Sequence, residues 1–268
     1  MSDFEEVSRC RVPAVNLWGY FFAYTSQNTE RRMQQEVKQA GKKAGMALTV
    51  VSGQMVVAWL VFVGSALLFF WMTRVVFVEQ EKELDQAAFA WADQFANPET
   101  TQVMYFITFF GSKNFLIYGS LALAAFFLLF KKWRFYSLKV IAISATTTLF
   151  NQTMKWLFGR PRPETAFLEQ GGNSFPSGHA MIGGAFWGLL VYLVWTNVPQ
   201  RWARWLLCGL LGAWILLIGF SRVYLNVHYA SDVLAGWGAG FFWLMLSIFL
   251  LNRLRQRKGR KAGQVLEE

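Results

Sequence analysis

Long apolar runs, separated by short charged or polar segments, recur from Leu48 to Leu251. A run of about 20 such residues is what a helix needs to cross a hydrocarbon core near 30 Å thick, where every backbone N–H and C=O must be paired within the segment. Blocks at Leu48–Met72, Asn114–Phe130, Phe135–Phe158, His179–Thr196, Trp205–Phe220 and His228–Leu251 meet that requirement and predict six spans. The expected fold is all-α, a polytopic membrane protein built as a six-helix bundle. Composition agrees, with 54% hydrophobic and 18% aromatic residues in 268 and a mean hydropathy of +0.29. Between the first two blocks, Glu79–Thr100 is polar and acidic yet sets Leu84, Ala88, Trp91 and Phe95 at helical spacing, which predicts one amphipathic surface helix. The expected organisation is an N-terminal segment over 1–46, a membrane domain over 47–252 and a basic tail over 253–268.

The formal charge of +10 would suit a nucleic-acid partner, but the bases flank the apolar blocks, which points to a bilayer instead. Arg31, Arg32, Lys38, Lys42 and Lys43 precede the first span, and Lys131, Lys132 and Arg134 join the second and third. Arg201 and Arg204 join the fourth and fifth; Arg253, Arg255, Arg257, Lys258, Arg260 and Lys261 follow the sixth. All four groups fall on one side, so both termini are expected in the cytoplasm of a bacterial-type inner membrane. Met1–Arg11 lacks the basic-then-apolar pattern of a cleaved signal peptide. Leu17–Tyr24 is too short to span and reads either as a helix on the inner leaflet or as an unstructured segment. The two cysteines, Cys10 and Cys208, suggest neither a disulfide framework nor a metal pair.

On the outer side, Lys155, Arg160, Arg162 and Arg222 break the charge bias that the rest of the chain obeys, and an anionic ligand is the simplest reason. Lys155 sits one turn inside the end of the third span, and Pro161 and Pro163 stiffen the exit around Arg162. A guanidinium can grip two phosphate oxygens and an ammonium adds a point charge, although bases at a membrane lip also serve as simple anchors. Phe175-Pro176-Ser177-Gly178-His179 opens the fourth span, where free backbone N–H groups and the Ser177 hydroxyl can hold a phosphate or, alternatively, form an ordinary helix cap. Gly178 allows close approach. In the last stretch, Ser221 to Asp232, a helix beginning at His228 would set Asp232 four residues on and on the same face. The carboxylate would then fix the imidazole tautomer and leave the other ring nitrogen as a nucleophile. The chain holds only two histidines, and both fall at this outer surface beside the four bases. Phosphoryl transfer needs positioning, charge neutralisation and a proton for the leaving oxygen, which these groups supply without a metal or other cofactor. Glu164 and Glu169 are too isolated to suggest a two-metal site.

These residues spell K-x6-R-P at Lys155–Pro163, P-S-G-H at Pro176–His179 and S-R-x5-H-x3-D at Ser221–Asp232. In that order the sequence resembles the type 2 phosphatidic acid phosphatase superfamily, which also contains soluble vanadium haloperoxidases. The resemblance runs from about Asp93 to Leu251, and the six-span pattern looks like the bacterial phosphatidylglycerophosphatase B and undecaprenyl-pyrophosphate phosphatase branch. It implies that His228 attacks phosphorus to form a phosphohistidine, that Asp232 orients it, and that His179 protonates the leaving oxygen and then activates water. Lys155, Arg162, Ser177, Gly178 and Arg222 would hold the phosphate oxygens. Arg160 lies outside the three motifs and is expected to contact a headgroup or a neighbouring side chain; Glu164 would repel excess negative charge. The expected substrate is a membrane lipid phosphate or pyrophosphate, with undecaprenyl pyrophosphate, lipid A 1-phosphate, phosphatidylglycerol phosphate and phosphatidate as candidates and its tails between helices near the third span. A phosphotransferase that passes the phosphate to another lipid shares the same motifs, whereas a non-enzymatic anion-binding protein leaves the His228–Asp232 pairing unexplained.

Overall fold

The computed structural model describes residues 55–164 and 171–265, with side chains to 257, and the isolated helical positions Gln35, Lys38 and Gln39. The expectations for Cys10, Leu17–Tyr24, the bases preceding the first span other than Lys38, the start of that span at Leu48, and Glu169 lie outside the described residues. The chain divides into compact units at Met1–Val56 and Val57–Glu268, and the fold described is essentially that of the second. Every element among the described residues is helical. In chain order they are α1 (Met55–Glu79, ending in a π turn from Val75), α2 (Glu83–Asp93), α3 (Pro98–Phe109), α4 (Lys113–Leu128), α5 (Arg134–Phe158), α6 (Gly178–Asn197), α7 (Arg201–Tyr224) and α8 (Ala230–Val265).

Four of these, α1, α6, α7 and α8, are long and apolar enough to cross a membrane, and α3 with α4, bent by 44°, make a fifth candidate. The helix expected as the third span is present as α5, 25 residues long, but it is not among the helices apolar enough to cross a membrane, and it carries Lys139, Ser144, Thr147, Asn151 and Lys155. Thr146, Thr148 and Thr153 return their hydroxyls to the carbonyls of Ala142, Ser144 and Leu149, at 2.6, 2.8 and 3.0 Å, which satisfies them inside the helix. The single surface helix expected over Glu79–Thr100 is instead two elements. Asn97 adopts an extended backbone and accepts from the Thr100 amide at 2.8 Å, with Pro98 at the first helical position, so a new helix starts there. Of the expected apolar stripe, Leu84 and Trp91 on α2 and Phe95 just beyond its end are exposed, whereas Asp85 is 3% exposed. At the C-terminal end, α8 continues through the expected domain limit at Asn252 to Val265.

Helix α6 is the centre, packed against α4, α5, α7 and α8. It is apolar on all sides, as a helix enclosed by neighbours must be. Helix α8 approaches it backbone to backbone: a Cβ on Gly240 would lie 2.5 Å from the Met181 carbonyl oxygen, and one on Gly236 2.8 Å from that of Ser177. Glycine at these positions therefore sets the α6–α8 distance at the mouth of the bundle. The outside is covered with exposed apolar side chains, among them Trp59, Leu60, Phe70 and Trp71 on α1 and Leu206, Leu210 and Leu216 on α7. A surface of that kind needs lipid or protein against it.

Candidate active site

The C-terminal ends of α5 and α7 and the N-terminal ends of α6 and α8 converge, and the three motifs meet there. Lys155, Arg162, His179 and Arg222 line one cavity of about 760 Å³, together with Thr108, Lys113, Gln152 and Asn173. Among the described residues its lining contains no carboxylate. Four cationic side chains and a polar wall make an anion site, and such a donor set would repel a metal ion. Three of the four are held by hydrogen bonds: Lys155 Nζ donates to the Asn173 carbonyl, and Asn173 Nδ2 donates back to the Lys155 carbonyl at 2.6 Å. Arg162 Nε donates to the Gly172 carbonyl at 3.0 Å and Nη1 to that of Val227 at 2.9 Å. The fully buried Arg222 donates from Nη1 to Thr108 Oγ1 at 2.6 Å.

Ser177 stands at the N-cap of α6, but its hydroxyl makes no capping bond and is buried without a hydrogen-bond partner. The ordinary-cap alternative therefore fails, and an oxygen-rich ligand would satisfy that hydroxyl. The Ser177 amide, expected to face the phosphate, donates instead to the Asp232 carbonyl at 3.0 Å, which leaves the following amides for that task. Gly178, His179 and His228 line a second cavity that adjoins the first through Lys113, Gln152, Lys155, Arg162 and His179. His179 fits because residue 111 is glycine: a Cβ there would lie 2.8 Å from His179 Cδ2.

His228 and Asp232 do pair, but not across a helix face as expected. Helix α8 starts at Ala230, so His228 lies in the preceding turn. Asp232, the third residue of α8, reaches back to accept from the Tyr229 amide at 3.1 Å, in the manner of a capping box. The same oxygen, Oδ2, stands 3.4 Å from His228 Nδ1, within ion-pair distance but outside hydrogen-bonding geometry, so that Nδ1 has no hydrogen-bond partner among the described residues. The other ring nitrogen, Nε2, lies 3.3 Å from Arg162 Nη1. A phosphorus attacked by Nε2 would thus have its oxygens within reach of that guanidinium. Burial first, then the Arg222, Arg162 and Lys155 charges, hold the imidazole well below its ordinary pKa, so it is neutral and carries a free lone pair.

Arg160, expected to touch a headgroup or neighbour, lies half-buried beneath the pair, its side chain 13% exposed. Its Nη1 donates to Asp232 Oδ1 at 2.6 Å and Ser231 Oγ at 2.8 Å, and its Nη2 to Asp85 Oδ2 at 2.8 Å. Burial works against its charge, but Asp232 and Asp85 outweigh that and raise its pKa. Glu164 is exposed. Asp85, Thr108, Gly111 and Lys113 went unrecognised because none belongs to the motifs, and Asp85 sits in an acidic run that reads as solvated surface.

A family model described as the PAP2 superfamily matches residues 136–256. The chain is 27% identical over 186 residues to phosphatidylglycerophosphatase B of Bacillus subtilis, covering 67% of this chain and 89% of that protein. It is 30% identical over 153 residues to undecaprenyl-diphosphatase of Sulfolobus acidocaldarius, covering 54% of this chain and 68% of that one. Among solved structures, the transmembrane PAP2-type phosphatidylglycerolphosphate phosphatase of Bacillus subtilis superposes with a TM-score of 0.65 at 26% identity, covering 74% of this chain and 97% of that chain.

Proposed function

Because the chain belongs to the PAP2 superfamily, we propose that it is a membrane phosphatase hydrolysing a lipid phosphomonoester or lipid pyrophosphate through a phosphohistidine. The lipid part of this reading rests on the second cavity, of about 480 Å³. It begins among Leu116, Ile117, Leu121 and Ile141 between α4 and α5 and ends at Lys155, Arg162, His179 and His228. An acyl or prenyl tail lying there would deliver its phosphate to the cationic cavity, an apolar approach for which a soluble phosphate ester has no use.

The Asp232 carboxylate holds the proton on His228 Nδ1, and Nε2 attacks phosphorus. The P–O bond to the lipid breaks as His179 protonates the departing oxygen. His179 then takes a proton from water, the hydroxide attacks phosphorus, and the N–P bond breaks to release inorganic phosphate. Lys155, Arg162, Arg222, the Ser177 hydroxyl and the Gly178 amide stabilise the charge that gathers on the equatorial oxygens. Six crossings follow if α1, the bent α3–α4 pair, α5, α6, α7 and α8 each span; α5, at about 37 Å, is long enough. Lys131 and Lys132 lie between α4 and α5, and Arg201 and Arg204 in the first turn of α7, at the opposite ends of the helices from the site, which favours a cytoplasmic face there and a periplasmic active site. That leaflet favours undecaprenyl pyrophosphate or lipid A 1-phosphate over phosphatidylglycerol phosphate and phosphatidate. The resemblance to phosphatidylglycerophosphatase B keeps the phosphatidylglycerol phosphate in contention.

Phosphate release from the detergent-solubilised full chain, measured against a panel of these lipids with His228→Ala alongside, tests the proposal. Release by the parent chain and none by the variant is expected. Equal release by both would remove His228 as nucleophile, and release by neither, with transfer to an added acceptor lipid, would make the protein a phosphotransferase.

A further inference from the structure

Asp232 is fully buried and its two oxygens are divided between different tasks. Oδ2 accepts from the Tyr229 amide and faces His228 Nδ1 at 3.4 Å, whereas Oδ1 receives Arg160 at 2.6 Å. Arg160 is itself fixed on three sides. Its guanidinium lies 4.0 Å from the Tyr229 ring centroid, its second nitrogen binds Asp85 at 2.8 Å, and its carbonyl accepts from the Ser174 amide at 2.8 Å. Asp85 comes from α2, outside all three motifs and the family match, and is as enclosed as the catalytic pair. It also accepts from the Ser231 amide at 2.8 Å and from the Ser231 hydroxyl at 2.9 Å, so it holds the first turn of α8 from beneath. Two carboxylates and one guanidinium thus form a closed chain, Asp85–Arg160–Asp232. The charged and titratable groups around Asp232 are Arg160, with Asp85 beyond it, and His228, Lys155, Arg162 and Tyr229.

We infer that Arg160 and Asp85 are positioning residues for the nucleophile: through Arg160 they keep Asp232 ionised and turned toward His228 Nδ1, which makes α2 part of the catalytic apparatus. The inference rests on the phosphohistidine reading. A buried carboxylate with no cation against it binds a proton or rotates toward other donors, and either change releases the imidazole tautomer. Arg160 is suited to the task because one planar group must meet two carboxylates at once, which a lysine ammonium cannot do at these distances.

The full-length protein, purified in detergent, is compared with Arg160→Ala, Arg160→Lys, Asp85→Asn and the double variant Asp85→Asn/Arg160→Ala, with His228→Ala as the inactive reference. Arg160→Ala is expected to lower kcat by roughly 100-fold with little change in KM, and to move the acid limb of the pH profile toward neutrality as Asp232 becomes easier to protonate. Arg160→Lys should recover part of the loss, Asp85→Asn should lose less in the same direction, and Asp85→Asn should add little to Arg160→Ala, because the two act as one chain. Unchanged kcat in Arg160→Ala, a loss with the pH limb unmoved, or multiplicative losses in the double variant would overturn the inference. Nitrogen-15 spectra of His228, assigned with His179→Ala, read the same arrangement without turnover. Nδ1 protonated in the parent chain and a changed tautomer in Arg160→Ala are expected; an identical spectrum overturns the inference. A parent chain that released no phosphate would defeat the phosphatase reading alone, because the spectra would still decide the positioning.

Discussion

On the proposed mechanism, in which His179 is the acid and His228 the nucleophile, replacing Gly111 with alanine should damage the acid while leaving the nucleophile intact. A Cβ at this position would stand 2.8 Å from His179 Cδ2, 3.2 Å from His179 Cβ and 2.7 Å from Ile218 Cγ2. Carbon atoms in contact settle near 3.5 Å or beyond, so the imidazole must retreat by about 0.7 Å. Ile218 is itself buried and cannot absorb the whole strain. Displacement by about 1 Å can cost roughly 100-fold when a group must meet its reacting atom. We therefore expect kcat/KM for a lipid phosphate to fall by about 30- to 100-fold. An activated aryl phosphate, whose leaving oxygen departs without a proton, should fall only a few-fold, since kcat/KM reports the first step alone. Overpacking also predicts a thermal midpoint lowered by the equivalent of about 1–3 kcal/mol. Gly119→Ala on the neighbouring helix is the control, because its Cβ would meet Phe186 Cζ at an ordinary 3.5 Å. Initial rates on both substrates and a melting curve suffice. A lipid-phosphate rate at the parental level, or equal losses on both substrates, would refute the assignment of His179 as the acid and the packing argument behind it.

Other outcomes follow from the same geometry. Because burial and three cations depress the His228 pKa, the imidazole stays neutral as pH falls through the ordinary histidine range of about 6.5, and activity should be lost only below it; kcat/KM against pH, corrected for substrate ionisation, reads the limb. An acid limb above that range would contradict the assignment. Ile141→Trp, which fills the groove between α4 and α5, should raise KM for long-chain lipid phosphates far more than for a short-chain one; equal effects would detach the groove from the tail. Gly240→Ala, whose Cβ would lie 2.5 Å from the Met181 carbonyl oxygen, should force α6 and α8 apart and lower the melting temperature, with a loss of about 1–3 kcal/mol. Chelation should leave phosphate release intact, since side chains fill every role; loss in chelator that added metal restores would require a different site.

The cavity-forming residues Lys155, Arg162, His179 and Arg222, and the His228–Asp232 pair behind them, could be read from the sequence because each motif places fixed side chains at a helix end. The long apolar blocks gave α1, α6, α7 and α8 with only their ends misjudged. What failed was whatever depended on a partner distant in sequence. Asp85 has the local appearance of solvated surface, and only the folded chain brings Arg160, 75 positions on, against it. The break at Asn97-Pro98 was legible as a helix start, yet the apolar spacing across Glu79–Thr100 concealed it. Helix α5 passed as a plain span by length, while its Thr and Asn residues needed a bundle interior and a polar groove to explain them. Gly111 carried no signal at all, since the side chains that exclude a Cβ there, His179 and Ile218, belong to α6 and α7.

Ile117, Leu121 and Ile141, which line the cavity between α4 and α5, are exposed on the flank of these two helices. A lipid entering there never leaves the plane of the bilayer, so the concentration that governs turnover would be its mole fraction among surrounding lipids and not its amount per volume. Diluting the substrate with inert lipid at constant total substrate would then slow the reaction, and two membranes of equal bulk content but different composition would give different rates.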